Sequence, residues 1–153
     1  MEIIKEKTCA FSGHRNLKEN FSQIFLEENI LNAIERGYDT FLVGMALGFD
    51  TKAFLVLEKL RKKYKIKIIA CIPCSEQPDK FSFEDKENYY KMIKSADEQI
   101  LISPSYYKGC MQKRNRFMVD NCSLLIAYLT ENKGGTFTTC NYAQKKGVEI
   151  ILV

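Results

Sequence analysis

The chain has one histidine, three prolines and no apolar run long enough to cross a bilayer. A single histidine leaves little room for a His-rich metal site, and no pair among the six cysteines has zinc-finger spacing, so no metal is expected. Residues 66–72, among the longest apolar runs, fall far short of the roughly 20 residues that a membrane span needs. The opening Met1-Glu2-Ile3-Ile4-Lys5 has no apolar stretch of signal-peptide length. A cytoplasmic location and no membrane partner are therefore expected. Repeats, linkers and low-complexity tracts are also missing, and Pro73, Pro78 and Pro104 each fall just after a strand-like run. One domain spanning 1–153 is the simplest organisation.

The chain's 153 residues are 46% hydrophobic and 27% charged, an ordinary globular composition that can bury roughly two-thirds of the unfolded surface. The net charge is +4. The densest basic run, Arg61-Lys62-Lys63-Tyr64-Lys65, ends a predicted helix, where cations complement the helix dipole, and is weak evidence for nucleic acid. Cys9, Cys71 and Cys122 lie in apolar strand-like segments. Cys71 and Cys74 form C-x-x-C, but the first sits inside the strand-like IIACIP rather than at a helix start, which points to buried free thiols.

Apolar, β-favouring runs occur at Thr8–Ser12, Thr40–Gly44, Ile66–Ile72, Gln99–Ile102, Leu124–Leu129 and Val148–Val153. Helix-period segments separate them. Phe21–Arg36 carries Phe21, Ile24, Leu31 and Ile34 at spacings of three and seven, with Gly37 after its end. A second helix runs from about Thr51 to Tyr64 with Asp50 placed to cap it, followed by Phe83–Ser95, Cys110–Asn121 and Thr136–Lys146, the last closed by Gly147. Strict strand–helix alternation predicts a Rossmann-like α/β/α domain with a mostly parallel sheet of about six strands.

In such sheets ligands bind beyond the carboxyl ends of the strands. Four loops there hold the unusual residues: Gly13, His14 and Arg15; Gly44, Met45, Ala46, Gly48 and Asp50; Lys113, Arg114 and Asn115; and Gly134, Gly135, Thr136, Thr138 and Thr139. Glycines at these turns allow positive φ and let backbone N–H groups approach an anion beside a helix N-terminus. Each glycine loop is equally consistent with a plain turn. The threonines could donate hydroxyls to phosphate or cap the last helix. Lys113, Arg114 and Arg116 put positive charge near a helix start, where it is unfavourable unless an anion is bound or Asp120 or Glu131 pairs with it. His14 reads as a binding or structural residue, and Asp50 as a helix cap, a ribose-hydroxyl acceptor or both.

Taken together, F-S-G-H-R at 11–15, G-M-A-L-G-F-D at 44–50, C-I-P at 71–73, K-R-N-R-F-M-V-D at 113–120 and G-G-T-F-T-T at 134–139 resemble the YpsA-type family of the SMF/DprA/LOG (SLOG) superfamily over nearly the whole chain. The resemblance implies a Rossmann-like domain that binds nucleotide-derived ligands. LOG-type enzymes share the fold and cleave nucleoside monophosphates with the glutamate of P-G-G-x-G-T-x-x-E. Here Lys133, Phe137 and Asn141 replace the proline, the third glycine and that glutamate. An amide cannot act as the general base or stabilise an oxocarbenium-like centre, so the resemblance argues against hydrolysis by that route.

The leading expectation is a non-catalytic sensor of a phosphate-bearing, nucleotide-derived small molecule, with no cofactor and no assigned catalytic residue. A hydrolase or transferase using Asp50 or Asp120 is the first alternative. DprA-like binding of single-stranded nucleic acid is the second, with Tyr106 and Tyr107 beside Lys108 as stacking candidates unless that loop packs against the rim. Homo-oligomerisation is compatible with the resemblance, though no interface can be read from the residues.

Overall fold

The computed structural model describes residues 2–153. Its six strands are β1 (Thr8–Gly13), β2 (Thr40–Val43), β3 (Lys67–Cys74), β4 (Glu98–Ser103), β5 (Leu124–Tyr128) and β6 (Glu149–Leu152). Between them lie α1 (Gln23–Glu35), α2 (Phe49–Arg61), α3 (Phe83–Ser95), α4 (Cys110–Asp120) and α5 (Gly135–Lys145). The strands form one all-parallel sheet in the order β4-β3-β2-β1-β5-β6.

Side chains alternate across the central strands. Cys9 and Phe11, Phe41 and Val43, Ile68 and Ala70, and Leu124 and Ile126 enter one core, whereas Ala10, Leu42, Ile69, Cys71, Leu125 and Ala127 enter the other. Both faces are apolar because helices cover both. Leu26, Ile30, Leu57 and Tyr89 place α1, α2 and α3 on the first core, while Met118, Val119, Cys140 and Ala143 place α4 and α5 on the second. Right-handed crossovers explain the division. The chain steps outward from β1 to β4, then returns past β1 to β5 and β6, and reversing the direction of travel reverses the covered face. The reversal leaves a crevice between the carboxyl ends of β1 and β5, the usual ligand position in such sheets.

Several expected boundaries and faces differ. Helix α1 starts at Gln23, because the Ser22 hydroxyl accepts the Phe25 N–H at 3.1 Å and caps it there. Its inward face is Leu26, Ile30 and Ala33, and Ile24 is 75% exposed. Phe21 precedes the helix and packs edge-on against Phe49 and Tyr128. Strand β3 extends through Pro73, which lies beyond Ala70, the last residue paired to β2, where the missing N–H no longer interrupts a two-sided ladder. Gly37 and Gly147 do follow their helices, at φ +102° and +74°. All six cysteines are free and buried, as the strand-like settings of Cys9 and Cys71 suggested; Cys122, also expected in a strand, lies just before β5.

Candidate functional site

The loops leaving β1 and β2 and the first turns of α4 and α5 enclose a cleft of about 350 Å³ at this crevice. Ten of the sequence-predicted residues line it: Gly13, His14, Arg15, Gly44, Ala46, Asp50, Arg114, Asn115, Gly135 and Thr136. Met45 is buried beneath the rim with φ +65°. Gly48, Lys113, Gly134, Thr138 and Thr139 lie outside the cleft wall.

The glycines divide by role. A Cβ on Gly13 would overlap the Phe49 ring, and one on Gly48 would overlap the Arg15 carbonyl oxygen, so these two serve close packing between the β1 and β2 loops. Phe49 N–H donates to His14 O at 3.1 Å across the same junction. Gly134, at φ +93°, has open space where its Cβ would be, and Gly135 has only the end of Gln112 4.0 Å away. Of the glycines in the two predicted anion loops, these are the ones with room for a bound group.

Helix α5 has Gly134 as its N-cap and no side-chain cap, so the expectation that threonine would cap it is corrected. Thr138 and Thr139 instead donate to Gly134 O and Gly135 O at 3.0 and 2.8 Å, back along their own helix. Thr136 is 5% exposed, lines the cleft, and has no hydroxyl partner among the described residues. Uncapped N–H groups and an unengaged hydroxyl therefore meet at one end of the cleft.

Arg114 and Asp50 depart from the sequence expectation. Arg114 is 5% exposed; its Nη1 donates to Gly44 O and Cys71 O, the latter at 3.4 Å, and its Nε donates to Asn115 Oδ1 at 2.8 Å. It is a buried brace rather than a free cation, because Arg114 turns toward the sheet while exposed Lys113 turns away. Burial lowers its pKa, opposed by the nearby Asp50 carboxylate. Asp50 sits in the first turn of α2, whose N-cap is Gly48, so the carboxylate does not occupy the cap position. Its Oδ2 accepts the Ala46 N–H at 3.1 Å, and Oδ1 is buried with no partner among the described residues. Burial pushes the carboxyl up to about 6, with Arg114 and the Ala46 N–H pulling the other way.

His14 Nε2 accepts the Thr130 N–H at 3.0 Å and its ring meets Tyr128 edge-on, which ties the β1 loop to the β5 loop. Asp120, the other nominated carboxylate, ends α4 at the opposite edge of the sheet and accepts the Tyr142 hydroxyl at 2.8 Å. Tyr106 and Tyr107 are 61% and 42% exposed, on a loop tied to the β3–α3 connection through the Tyr106 N–H and Glu76.

Sequence reasoning missed Gln77, Phe81, Met111 and Gln112 in the cleft wall, whereas Phe11 and Ser12 belong to the F-S-G-H-R segment it named. Gln77 is buried, with Nε2 donating to Gly44 O at 3.0 Å and Oε1 accepting the Tyr89 hydroxyl at 2.9 Å. Met111 and Gln112 adjoin the basic segment that was singled out; Gln77 and Phe81 come from the β3–α3 connection, which carries no motif. Among the described residues no cluster of His, Cys, Asp and Glu could hold a metal ion, and no helix is long and apolar enough to cross a membrane.

Residues 9–150 match the YspA SLOG family. The chain is 30% identical over 145 residues to the SPbeta prophage-derived protein YoqJ of Bacillus subtilis, covering 83% of this chain and 85% of that protein. It is 28% identical over 113 residues to a UPF0398 protein of Halalkalibacterium halodurans, covering 72% and 60% of the two. Among solved structures, DNA processing protein A (DprA) of Streptococcus pneumoniae superposes with a TM-score of 0.69 at 18% identity, over 96% of this chain and 50% of that one. Helicobacter pylori DprA, a single-stranded DNA binder, gives 0.70 at 21% identity, over 97% and 65%. This chain thus spans half of the first DprA and about two-thirds of the second, and at these identities the likeness concerns the fold. With the family match covering most of the sequence, the chain belongs to the YspA SLOG family.

Proposed function

We propose that the chain is a cytoplasmic binding module for a nucleotide or nucleotide derivative, and that it seats the ligand's phosphate in the cleft between the β1 and β5 loops. One observation carries this reading: the start of α5 presents uncapped backbone donors and the unengaged Thr136 hydroxyl to an open cleft that Arg15 also lines. Donors and positive charge converging on an open, glycine-lined cleft suit a phosphate group. Binding without catalysis is favoured because Asn141 stands where the LOG-type carboxylate would be, Asp50 Oδ1 is sealed from solvent, and Asp120 lies at the far edge. Titration calorimetry with AMP, ADP, ATP and ADP-ribose should detect binding that Arg15→Ala weakens. Absence of heat with every one of them overturns the reading.

The exposed Tyr106 and Tyr107 beside Lys108 favour a second reading, binding of single-stranded nucleic acid. Helicobacter pylori DprA, which shares the fold, binds single-stranded DNA. Affinity for an unstructured oligonucleotide should then be measurable at low salt and fall steeply as salt is added. Absence of low-salt binding removes this reading.

A further inference from the structure

A second compartment of about 510 Å³ opens beside the cleft. The two share Arg15, Gln77, Phe81 and Met111, so they form one trough rather than two sites. Their chemistry differs. The cleft is walled by glycines, Thr136 and Asn115, whereas the second compartment adds Leu47 and Tyr106 to the shared Phe81 and Met111, with Glu76, Asp79 and Lys80 as its own charged residues.

The Phe81 ring and the backbone that carries Tyr106 are held in place. Phe81 meets Tyr89 edge-on, at 5.8 Å between ring centres, and the Tyr89 hydroxyl donates to Gln77, which in turn donates to Gly44 O in the cleft. Tyr106 is 61% exposed, yet both Glu76 carboxylate oxygens accept its backbone N–H at 3.1 Å. The same N–H and the Ser75 hydroxyl hold the Glu76 carboxyl below its usual range. Ser75 Oγ also lies 2.6 Å from Pro104 O, and the Ser103 hydroxyl donates to Ser105 O at 2.6 Å. An exposed ring on a loop anchored in this way is a preorganised surface for a planar partner.

We infer that this adjoining compartment is a nucleobase subsite: the base of a nucleotide lies against Tyr106 and Phe81 while its phosphate occupies the cleft on the other side of Arg15. The inference rests on the proposed phosphate site and adds to it that the ligand is recognised as a nucleotide, not as a phosphate or sugar phosphate. Continuity between the compartments, the cation at their junction and the two rings favour a base over an unrelated apolar occupant.

Titration of the whole chain with AMP and with ribose 5-phosphate, which differ by the base alone, tests it. One base stacked on an aromatic ring corresponds to roughly five- to hundredfold in affinity, so AMP is expected to bind more tightly by a factor in that range. Tyr106→Ala should reduce that advantage and leave ribose 5-phosphate binding unchanged, whereas Phe81→Leu, whose ring also lines the cleft, should weaken AMP more than ribose 5-phosphate. If neither compound binds, the phosphate site itself fails and the base subsite with it. Equal binding of the two overturns the base subsite alone. So does an AMP advantage that survives both substitutions, or a Tyr106→Ala effect confined to oligonucleotides.

Discussion

Asp50 and Arg114 are both buried against Gly44: a Cβ built on that glycine would lie 3.1 Å from Asp50 Oδ2 and 2.9 Å from Arg114 Cζ and Nη1. The glycine is required by its two charged neighbours and not by its backbone angle, since it is absent from the positive-φ glycines. Arg114 cannot withdraw cheaply, because its guanidinium is bonded to Gly44 O and Cys71 O and lies under the cleft. Gly44→Ala is therefore expected to destabilise the fold by about 1–3 kcal/mol, the usual cost of overpacking a buried site. Urea denaturation measures it; an unchanged midpoint would show that the two side chains can move apart.

The Asp50 carboxyl makes stability depend on pH. Its folded-state pKa of about 6 lies above its ordinary 3.8, so between these values the folded chain holds a proton that the unfolded chain has released. This contribution is most favourable below about pH 4, declines as pH rises through that window, and levels off above about pH 6. The shift corresponds to about 3 kcal/mol between the two plateaus. Asp50→Asn cannot ionise and should flatten the decline, seen as the difference between wild-type and variant denaturation curves at pH 4 and pH 7. Parallel curves would mean that the carboxylate is compensated in the fold.

Gly48 and Gly147 both have positive φ, +82° and +74°, but their surroundings differ. Nothing lies within 4 Å of a Cβ on Gly147, whereas one on Gly48 would strike the backbone carbonyl of Arg15. Gly147→Ala should cost about 1 kcal/mol, the left-handed backbone term alone. Gly48→Ala adds a backbone clash, so its melting temperature should fall further, and displacement of Arg15 should weaken nucleotide binding as well. Equal melting temperatures for the two variants would contradict the packing role of Gly48.

The parallel sheet and the rim loops were legible in the sequence because apolar strand runs alternate with helix periods, and because the glycine and basic segments fall where strands end. What could not be read is direction. Lys113 and Arg114 are adjacent, yet the 100° turn between successive helical residues sends one outward and the other into the sheet. Asp50 was legible as a first-turn acid but not as a buried one, since its burial follows from the depth of the α2 start beneath the Gly44 loop. Gln77 and Phe81 enter the cleft from a connection with no glycine or charge signature; only the tertiary path of the β3–α3 segment places them.

The six buried thiols give a check on the core that needs no ligand. Burial pushes the Cys71 and Cys122 thiols up to about 12, so neither thiolate nor access is available in the folded chain. An aromatic disulfide reagent at pH 8 should react slowly with the native protein and promptly with all six cysteines once it is unfolded. Rapid native labelling of Cys71 or Cys122 would show that the sheet opens locally.

Thr136 separates binding from stability. Its hydroxyl has no partner among the described residues, whereas those of Thr138 and Thr139 are engaged by backbone carbonyls. Thr136→Val keeps the branched shape and deletes only an unengaged hydroxyl, so stability should change by less than about 0.5 kcal/mol. Loss of a hydroxyl that bonds an anion costs roughly 1.5–3 kcal/mol, which corresponds to about ten- to hundredfold in affinity for AMP. Calorimetry and thermal denaturation of the one variant read both quantities. A large loss of stability would mean that the hydroxyl serves the fold, and unchanged affinity would remove Thr136 from the phosphate site.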